Sequence, residues 1–463
     1  MLTTSAADTA DVVVVGLGVG GESVAGQLAD AGLDVIGIEA DLVGGECPYW
    51  GCIPSKMMVR AGNLLAEARR LPGLAGTVEG VVPDWRLVAK RIRDEATDNW
   101  NDRVAVDRFV GKGGRFVRGS ARILGPRHVD VPGVGVIEAR SALVIAAGTG
   151  AAAPPIPGLA ETPYWTNREA VAVEELPGQL AVIGGGAIGC EIGQVFARFG
   201  VRVTIVEAAD RLLPLEEPEA GDVVAEVFTA ESIALELGAR VTGVEHGGGQ
   251  FRVHLEGRET IVVDQVLVAT GRRPHLPAEE RAALGLGGEP GPLPVDDRMR
   301  VTEGVWAVGD ITGKGAFTHV ATYQADIVVR EILGKAGPAA DYHALPRVSF
   351  TDPEVGAVGL TEAQARARGI TVATGIALVP SSARGWLHRA GNEGLIKLVV
   401  DAHSDLLVGA TSTGPAGGEV LGALAVVVHA KVPVAALEQM IYAYPTFHRG
   451  IQDAVRDLRA AQR

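Results

Sequence analysis

One pattern constrains this chain more than any other, and it occurs twice. "DVVVVGLGVGGESVAGQLADAGLDVIGIEA" starts with a β-branched run, Val12 to Val15, and passes through glycines into a helix-like segment. It closes with an apolar strand ending at Glu39. "QLAVIGGGAIGCEIGQVFARFGVRVTIVEAADRLL", residues 179–213, repeats the pattern about 170 residues further on. A glycine turn alone is a weak signal. One that follows a strand, opens a helix and is answered by an acid about 20 residues later specifies a dinucleotide-binding strand–turn–helix–strand unit. Two such units predict an α/β fold with two Rossmann-like domains.

In the first unit, Gly16, Gly18 and Gly21 let the backbone turn and approach a pyrophosphate. The site is a helix N-terminus, where free N–H groups and the helix dipole favour negative charge. Glu39 is spaced to accept from ribose hydroxyls. The second cradle is Gly184, Gly186 and Gly189, and Glu207 ends the strand after it. An acid there repels a 2′-phosphate, so NAD is expected over NADP, with Arg211 as the nearby base. "ALVIAAGTG" and "QVLVATGRRP" read as buried strands ending in glycine turns at Gly148 and Gly271. Asp310, in "AVGDI", either meets a ribityl or phosphate group or caps the next turn. From about residue 340 the text changes to antiparallel strand patterns and two helical runs, a third, α+β domain. The expected division is 1–155 and 275–340 for the first domain, 156–274 for the second and 341–463 for the third.

Composition narrows the class. A chain of 463 residues with 47% hydrophobic side chains has room for about three domains of roughly 150 residues. A net charge of −14 argues against nucleic acid or an anionic membrane as partner. Three cysteines make no secreted disulfide framework. "MLTTSAADTADVVVV" lacks a basic leader, and no run of about 18 apolar residues occurs. A cytoplasmic enzyme is expected.

The cysteines stand at 47 and 52 in "LVGGECPYWGCIPSKMM". A disulfide needs Cα atoms within about 7 Å, whereas five residues of straight helix rise about 7.5 Å. Pairing therefore requires a break. Pro48 is expected to push Cys47 out of helical dihedrals, Gly51 loosens the loop, and a helix is expected from Pro54. The pair would lie at that helix's N-terminus, where the dipole favours thiolate, with Lys56 one turn beyond Cys52. The alternatives are a redox pair or two buried structural thiols. No second Cys or His pair with zinc spacing accompanies them, so no metal site is expected. Cys190 reads as packing.

With these residues in hand, the chain resembles the flavoprotein disulfide reductases, the pyridine-nucleotide–disulfide oxidoreductases that include dihydrolipoamide dehydrogenase, glutathione reductase and mercuric reductase. The motifs run in family order: the first fingerprint, "GGECPYWGCIPSK", "AAGT", "GGGAIGCE", "ATGRRP", "AVGD" and "FTDPEVGAVGLTE". The resemblance implies FAD at Gly16, Gly18, Gly21, Glu39 and Asp310, and NAD(P) at Gly184, Gly186 and Gly189. It implies that Cys52 is the flavin-side thiol and Cys47 the interchange thiol. Lys56 and Glu191 match an ion pair beside the flavin, and the last domain implies a homodimer with a shared active site.

Two stretches depart from the family. Tyr49 and Trp50 place bulk between the cysteines, and Glu46 places an acid before them, features expected to narrow access to Cys47 and raise its pKa. At the C-terminus the family has HPTxxE, whose His is the acid/base; here "YPTFHR" puts Tyr444 at the His position and Arg449 at the Glu position. Tyrosine, with a pKa near 10, is a poor shuttle at neutral pH. Tyr444 is expected in the site as a hydrogen-bond donor, and His448, one turn on, is the alternative base. The function expected is transfer of electrons from NADH through flavin to Cys47–Cys52 and on to a disulfide or other small electrophile. The alternatives are a quinone, metal-ion or dye reductase or a transhydrogenase in which the cysteines are not essential, and a redox-sensing module.

Overall fold

The computed structural model describes residues 8–274, 276–287 and 289–462. The opening segment read for a leader, residues 1–7, lies outside them. The chain forms two compact units: residues up to Pro54 with Lys90–Ala152 and Arg272–Asp341, and Ser55–Ala89 with Ala153–Gly271 and the chain from Tyr342.

In the first unit, β1 (Asp8–Val15), α1 (Val19–Asp30) and β2 (Val35–Glu39) form the expected crossover. β1 pairs in parallel with β2, Val12 opposite Val35, and on its other side with the strand Gly135–Ile145. Val12, Val13 and Val14 are wholly buried, as a central parallel strand covered on both faces requires. The sheet continues through Val305–Ala307 on one side and Arg115–Arg118 on the other. Chain order therefore reverses at β1, and the loop after it opens at a topological switch point, where α/β sheets bind ligands.

The second unit holds a parallel sheet, a small antiparallel sheet of Val241–Gly247, Gln250–Leu255 and Ile261–Val263, and a larger antiparallel one. Strand Gln179–Ile183 is flanked in parallel by Arg202–Glu207 and Gln265–Val268. The later portion is a five-stranded antiparallel sheet from Pro346 to Gly414, packed by helices Gly417–His429 and Gly450–Ala461 around Leu398, Leu424 and Leu458. The α/β class with a C-terminal α+β domain is the architecture found. Among the described residues, no helix is long and apolar enough to cross a membrane.

Candidate active site

Both glycine turns are built alike, and their three glycines serve two purposes. A Cβ on Gly16 would stand 2.4 Å from the Ala146 carbonyl oxygen, and one on Gly21 would stand 1.9 Å from the Gly16 oxygen. These two are glycine because the backbone leaves no room. Gly18 differs: its Cβ would meet only the Gly45 Cα, at 4.0 Å. In the second unit the corresponding values are 2.5 Å for Gly184, against Ala269 O, and 2.0 Å for Gly189, against Gly184 O, while Gly186 meets nothing within 4 Å. Gly18 and Gly186 thus keep open the face a phosphate would approach. Gly148 and Gly271, at φ +65° and +111°, also have nothing within 4 Å of an added Cβ.

Each strand-end acid braces its own cradle, a role the sequence did not disclose. Glu39 accepts the Leu17 N–H at 2.7 Å and the Asp41 N–H at 2.8 Å. Glu207 accepts from Gly185 at 2.6 Å and Ala209 at 2.7 Å. A carboxylate has about four acceptor positions, so both retain capacity for ribose hydroxyls.

The cysteine segment abuts the first cradle, since a Cβ on Gly45 would lie 2.8 Å from the Gly18 Cα. It then forms α2 (Glu46–Tyr49) and α3 (Cys52–Arg70). This corrects the expectation for Cys47, which lies in α2 despite preceding Pro48. Pro48 is in that helix's first turn, where its missing N–H loses no bond. The break falls instead at Trp50, with φ −130° and ψ −3°, and α3 starts two residues before Pro54. Neither cysteine is in a disulfide, and both are half-buried. Cys52 Sγ lies 3.3 Å from Thr318 Oγ1.

The Cys47 thiol is pushed well above the ordinary thiol range, first by its hydrogen bond with Cys52 and then by burial, with Thr318 opposing. Glu46 is not the cause: its carboxylate lies 3.5 Å from Arg272. Trp50 stacks on Trp100 with centroids 5.4 Å apart, and Tyr49 is buried. Trp100 ends a left-handed run, Asp98, Asn99 and Trp100 at φ +48°, +55° and +54°, whose Asn99 N–H is held by the Arg93 carbonyl. Such runs are rare for residues other than glycine.

Asp310 opens the single turn Asp310–Thr312 and accepts the Thr149 hydroxyl at 2.8 Å. Arg272 joins the group, donating to Thr149 Oγ1 at 2.9 Å and to its carbonyl at 2.6 Å. Arg272 and Thr149 stood inside quoted motifs, yet nothing in their spacing linked them to Asp310 or Glu46.

In the second unit, Lys56 Nζ meets Glu191 Oε2 at 2.7 Å and lies 4.5 Å from the Phe350 ring centre. Cys190, wholly buried, donates to the Gly185 carbonyl. Tyr444 is 70% exposed, with the Arg449 guanidinium 5.4 Å over its ring. His448 is half-buried, its ring 6.3 Å from that of Tyr442. No group of three or more metal-ligating side chains is clustered among the described residues.

Comparison with known families places the chain as a whole. The pyridine nucleotide-disulphide oxidoreductase profile matches residues 10–325, and the dimerisation domain of the same family matches 345–455. This chain belongs to the pyridine nucleotide-disulphide oxidoreductases. Like the family, it is an FAD-dependent oxidoreductase that uses a pyridine nucleotide and carries a dimerisation domain. This oxidoreductase is 31% identical to a mercuric reductase of Bacillus cereus over 452 residues, 96% of this chain and 71% of that protein. It is 33% identical to a dihydrolipoyl dehydrogenase of Thermus scotoductus over 472 residues, 97% of each chain. Among solved structures, the HOCl-induced flavoprotein disulfide reductase RclA of Escherichia coli superposes with a TM-score of 0.83 at 28% identity, covering 96% of this chain and 99% of that one. Its Cu(II) complex gives 0.85 at the same identity, covering 97% and 99%. The open faces at Gly18 and Gly186 and the residual acceptor capacity of Glu39 and Glu207 fit the dinucleotides this oxidoreductase requires.

Proposed function

We propose that this oxidoreductase passes electrons from NADH to the Cys47–Cys52 pair and from there to a disulfide or other small electrophile. The observation that carries the reading is the sulfur pair itself. Two half-buried thiols flank a break between helices, beside the glycine cradle that fits a dinucleotide, and the neighbouring Cys52 is the largest cause of the upward displacement of the Cys47 thiol.

In this reading Gly16, Gly18, Gly21, Glu39 and Asp310 hold FAD, with Gly148 and Gly271 keeping nearby turns open. When bound, the flavin supplies two-electron transfer between nicotinamide and sulfur. The chain's own groups do the rest. Lys56, steadied by Glu191, is the cation that offsets developing negative charge. Cys52 keeps a hydrogen bond from Cys47, which holds the proton of the dithiol. Cys47 meets the acceptor. Gly184, Gly186, Gly189 and Glu207 hold the nicotinamide dinucleotide. NADH is favoured because Arg211, the nearest base, gives its guanidinium to the Pro214 carbonyl at 2.9 Å; equal kcat/KM for NADPH would contradict this.

The domains follow as 1–155 with 275–340 for FAD, 156–274 for NAD and 341–463 for dimerisation. Ile441, 96% exposed, and Tyr444 mark the face through which two copies would join and share the site.

Tyr444 favours a second reading. With no imidazole at that position, acceptors that need no proton from it gain: a thiophilic metal ion, in line with the Cu(II) complex of RclA, or a quinone. Anaerobic titration with NADH separates the readings. A long-wavelength thiolate–flavin band after two electrons, and loss of acceptor reduction in Cys47→Ser, support the cysteine route. Direct bleaching without the band, with activity kept in Cys47→Ser, overturns it.

A further inference from the structure

The break between the cysteines is held by one neighbouring segment. At the break the chain folds back on Cys47: the Trp50 N–H bonds the Glu46 carbonyl at 2.8 Å, and a Cβ on Gly51 would stand 3.7 Å from the Cys47 Cα. Residues 97–102 touch this stretch twice. The buried Asp102 carboxylate accepts the Val43 N–H at 2.7 Å, and the Trp100 ring lies on the Trp50 ring with 23° between their planes. Among the described residues no group accepts the buried Trp100 indole N–H, so stacking rather than a directed bond places that ring. The backbone beneath it is unusual. The Thr97 N–H reaches the Ile92 carbonyl five residues back at 3.0 Å, a widened turn of a kind frequent at functional sites. Asp98, Asn99 and Trp100 follow in left-handed dihedrals, and the Thr97 hydroxyl accepts the Trp100 N–H at 3.3 Å. Such strain persists only where its surroundings enforce it.

We propose that Trp100 is a positioning residue: through Trp50 it holds the loop between the cysteines and so sets the redox potential of the Cys47–Cys52 pair. This inference rests on the cysteine route proposed above. Reduction of the closed pair breaks one S–S bond. NADH supplies two electrons and one proton as hydride, solvent supplies the second proton, and two thiols and NAD+ result. A disulfide restrains its loop by itself, whereas the dithiol loop is restrained only by its surroundings. A stacked ring that confines the open loop therefore raises the effective concentration of one thiol at the other and favours closure. Removing the ring frees the open form more than the closed one. The disulfide becomes easier to reduce, and the midpoint potential rises.

Redox titration of the holoenzyme tests this. The protein is equilibrated anaerobically in buffers of graded reduced to oxidised dithiothreitol, quenched in acid and alkylated, and mass spectrometry reads the fraction of Cys47–Cys52 disulfide. Trp100→Leu, which keeps apolar bulk without a ring, should shift the equilibrium towards the dithiol by about threefold or more, an upward move of about 15 mV for a two-electron couple. Trp100→Phe, which keeps a ring to stack, stays within about 1.5-fold of wild type. Trp50→Leu shifts as Trp100→Leu does, and the double variant shifts no further, because each removes the same contact. Flavin content and melting temperature report folding; should Trp100→Leu fail to fold, Trp50→Leu carries the comparison. A folded ring-less variant with the wild-type equilibrium, or one shifted towards the disulfide, overturns the proposal, as does a double variant whose shift is the sum of the two. Failure of the parent reading looks different: Cys47→Ser then keeps acceptor reduction, and the role of Trp100 falls with it.

Discussion

Lys56 and Glu191, 135 residues apart in sequence, meet at 2.7 Å, and the second oxygen of that carboxylate accepts the Phe350 N–H at 2.8 Å. Three distant segments are joined through one side chain that is 8% exposed. Lys56→Met leaves the carboxylate with the backbone bond alone. The expected loss is about 1–3 kcal/mol, below that of a fully buried pair because the lysine is 36% exposed. Glu191→Gln, which keeps an acceptor for Phe350, should cost less. Melting of the holoenzyme measures both, and a Lys56→Met protein that melts with wild type refutes the assignment.

The cradles allow a sharper contrast. Gly21→Ala and Gly189→Ala place a Cβ within about 2 Å of a carbonyl and should yield unfolded protein. Gly186→Val meets no protein atom within 4 Å at its Cβ and should fold. It should hold full flavin while its KM for NADH rises by at least about tenfold, the cost of losing one or more charge-assisted phosphate contacts. Gly18→Val should instead lower the flavin-to-protein ratio. Absorbance ratios and steady-state kinetics distinguish the two, and a Gly186→Val enzyme with an unchanged KM would remove the second cradle from the scheme.

Lys397 is 2% exposed and is held by three carboxylates: Glu217 at 3.0 Å, Glu219 at 2.7 Å and Glu362 at 3.0 Å. Lys397→Met removes the cation the three share, leaving Glu362 to Arg366 at 2.9 Å and Glu217 to the Glu362 N–H at 2.6 Å, and should cost about 3–5 kcal/mol at neutral pH. The pH dependence has a definite sign. Lys397 holds the Glu362 carboxyl below its ordinary 4.5, so that stabilisation is present above this pH and disappears as the pH falls through the lowered value. Without the lysine, protonating the carboxylates relieves their repulsion. The gap between wild-type and variant melting temperatures should therefore narrow on acidification; a gap independent of pH would contradict the charge argument.

Arg449 lies over the Tyr444 ring and 3.4 Å from Asp453, and by the resemblance drawn from the sequence the two stand where an imidazole and an acid are expected. Restoring that pair with Tyr444→His and Arg449→Glu should raise the reduction of a small disulfide by roughly 10²-fold, the lower end of what a positioned acid/base contributes. Tyr444→Phe should change it little. Steady-state rates with lipoamide and glutathione disulfide check this, and a double variant as slow as wild type would mean that the proton is handled elsewhere.

The two glycine turns, the parallel strands and the C-terminal α+β domain were legible because each is local chemistry: an apolar run, a glycine where a Cβ has no room, an acid at the end of the next strand. The helical state of Cys47 was misread, since the rule for residues before proline yields at a helix's first turn. Thr318, Arg272, Thr149 and Phe350 were not singled out because distant chain segments bring them to their partners. The same holds for Glu46, whose pairing with Arg272 removed it as the cause of the Cys47 displacement. The second task of Glu39 and Glu207, bracing the turn that precedes them, needed the backbone itself.

Cys190 has one further consequence. Its sulfur is wholly enclosed and bonded to the Gly185 carbonyl, and burial holds its thiol far from ionisation. A maleimide added to the native enzyme is blind to it and counts only the other two of the three cysteines. In the cysteine route proposed above, labelling stoichiometry on the purified enzyme therefore reports the thiol state of that pair alone, without any chromophore.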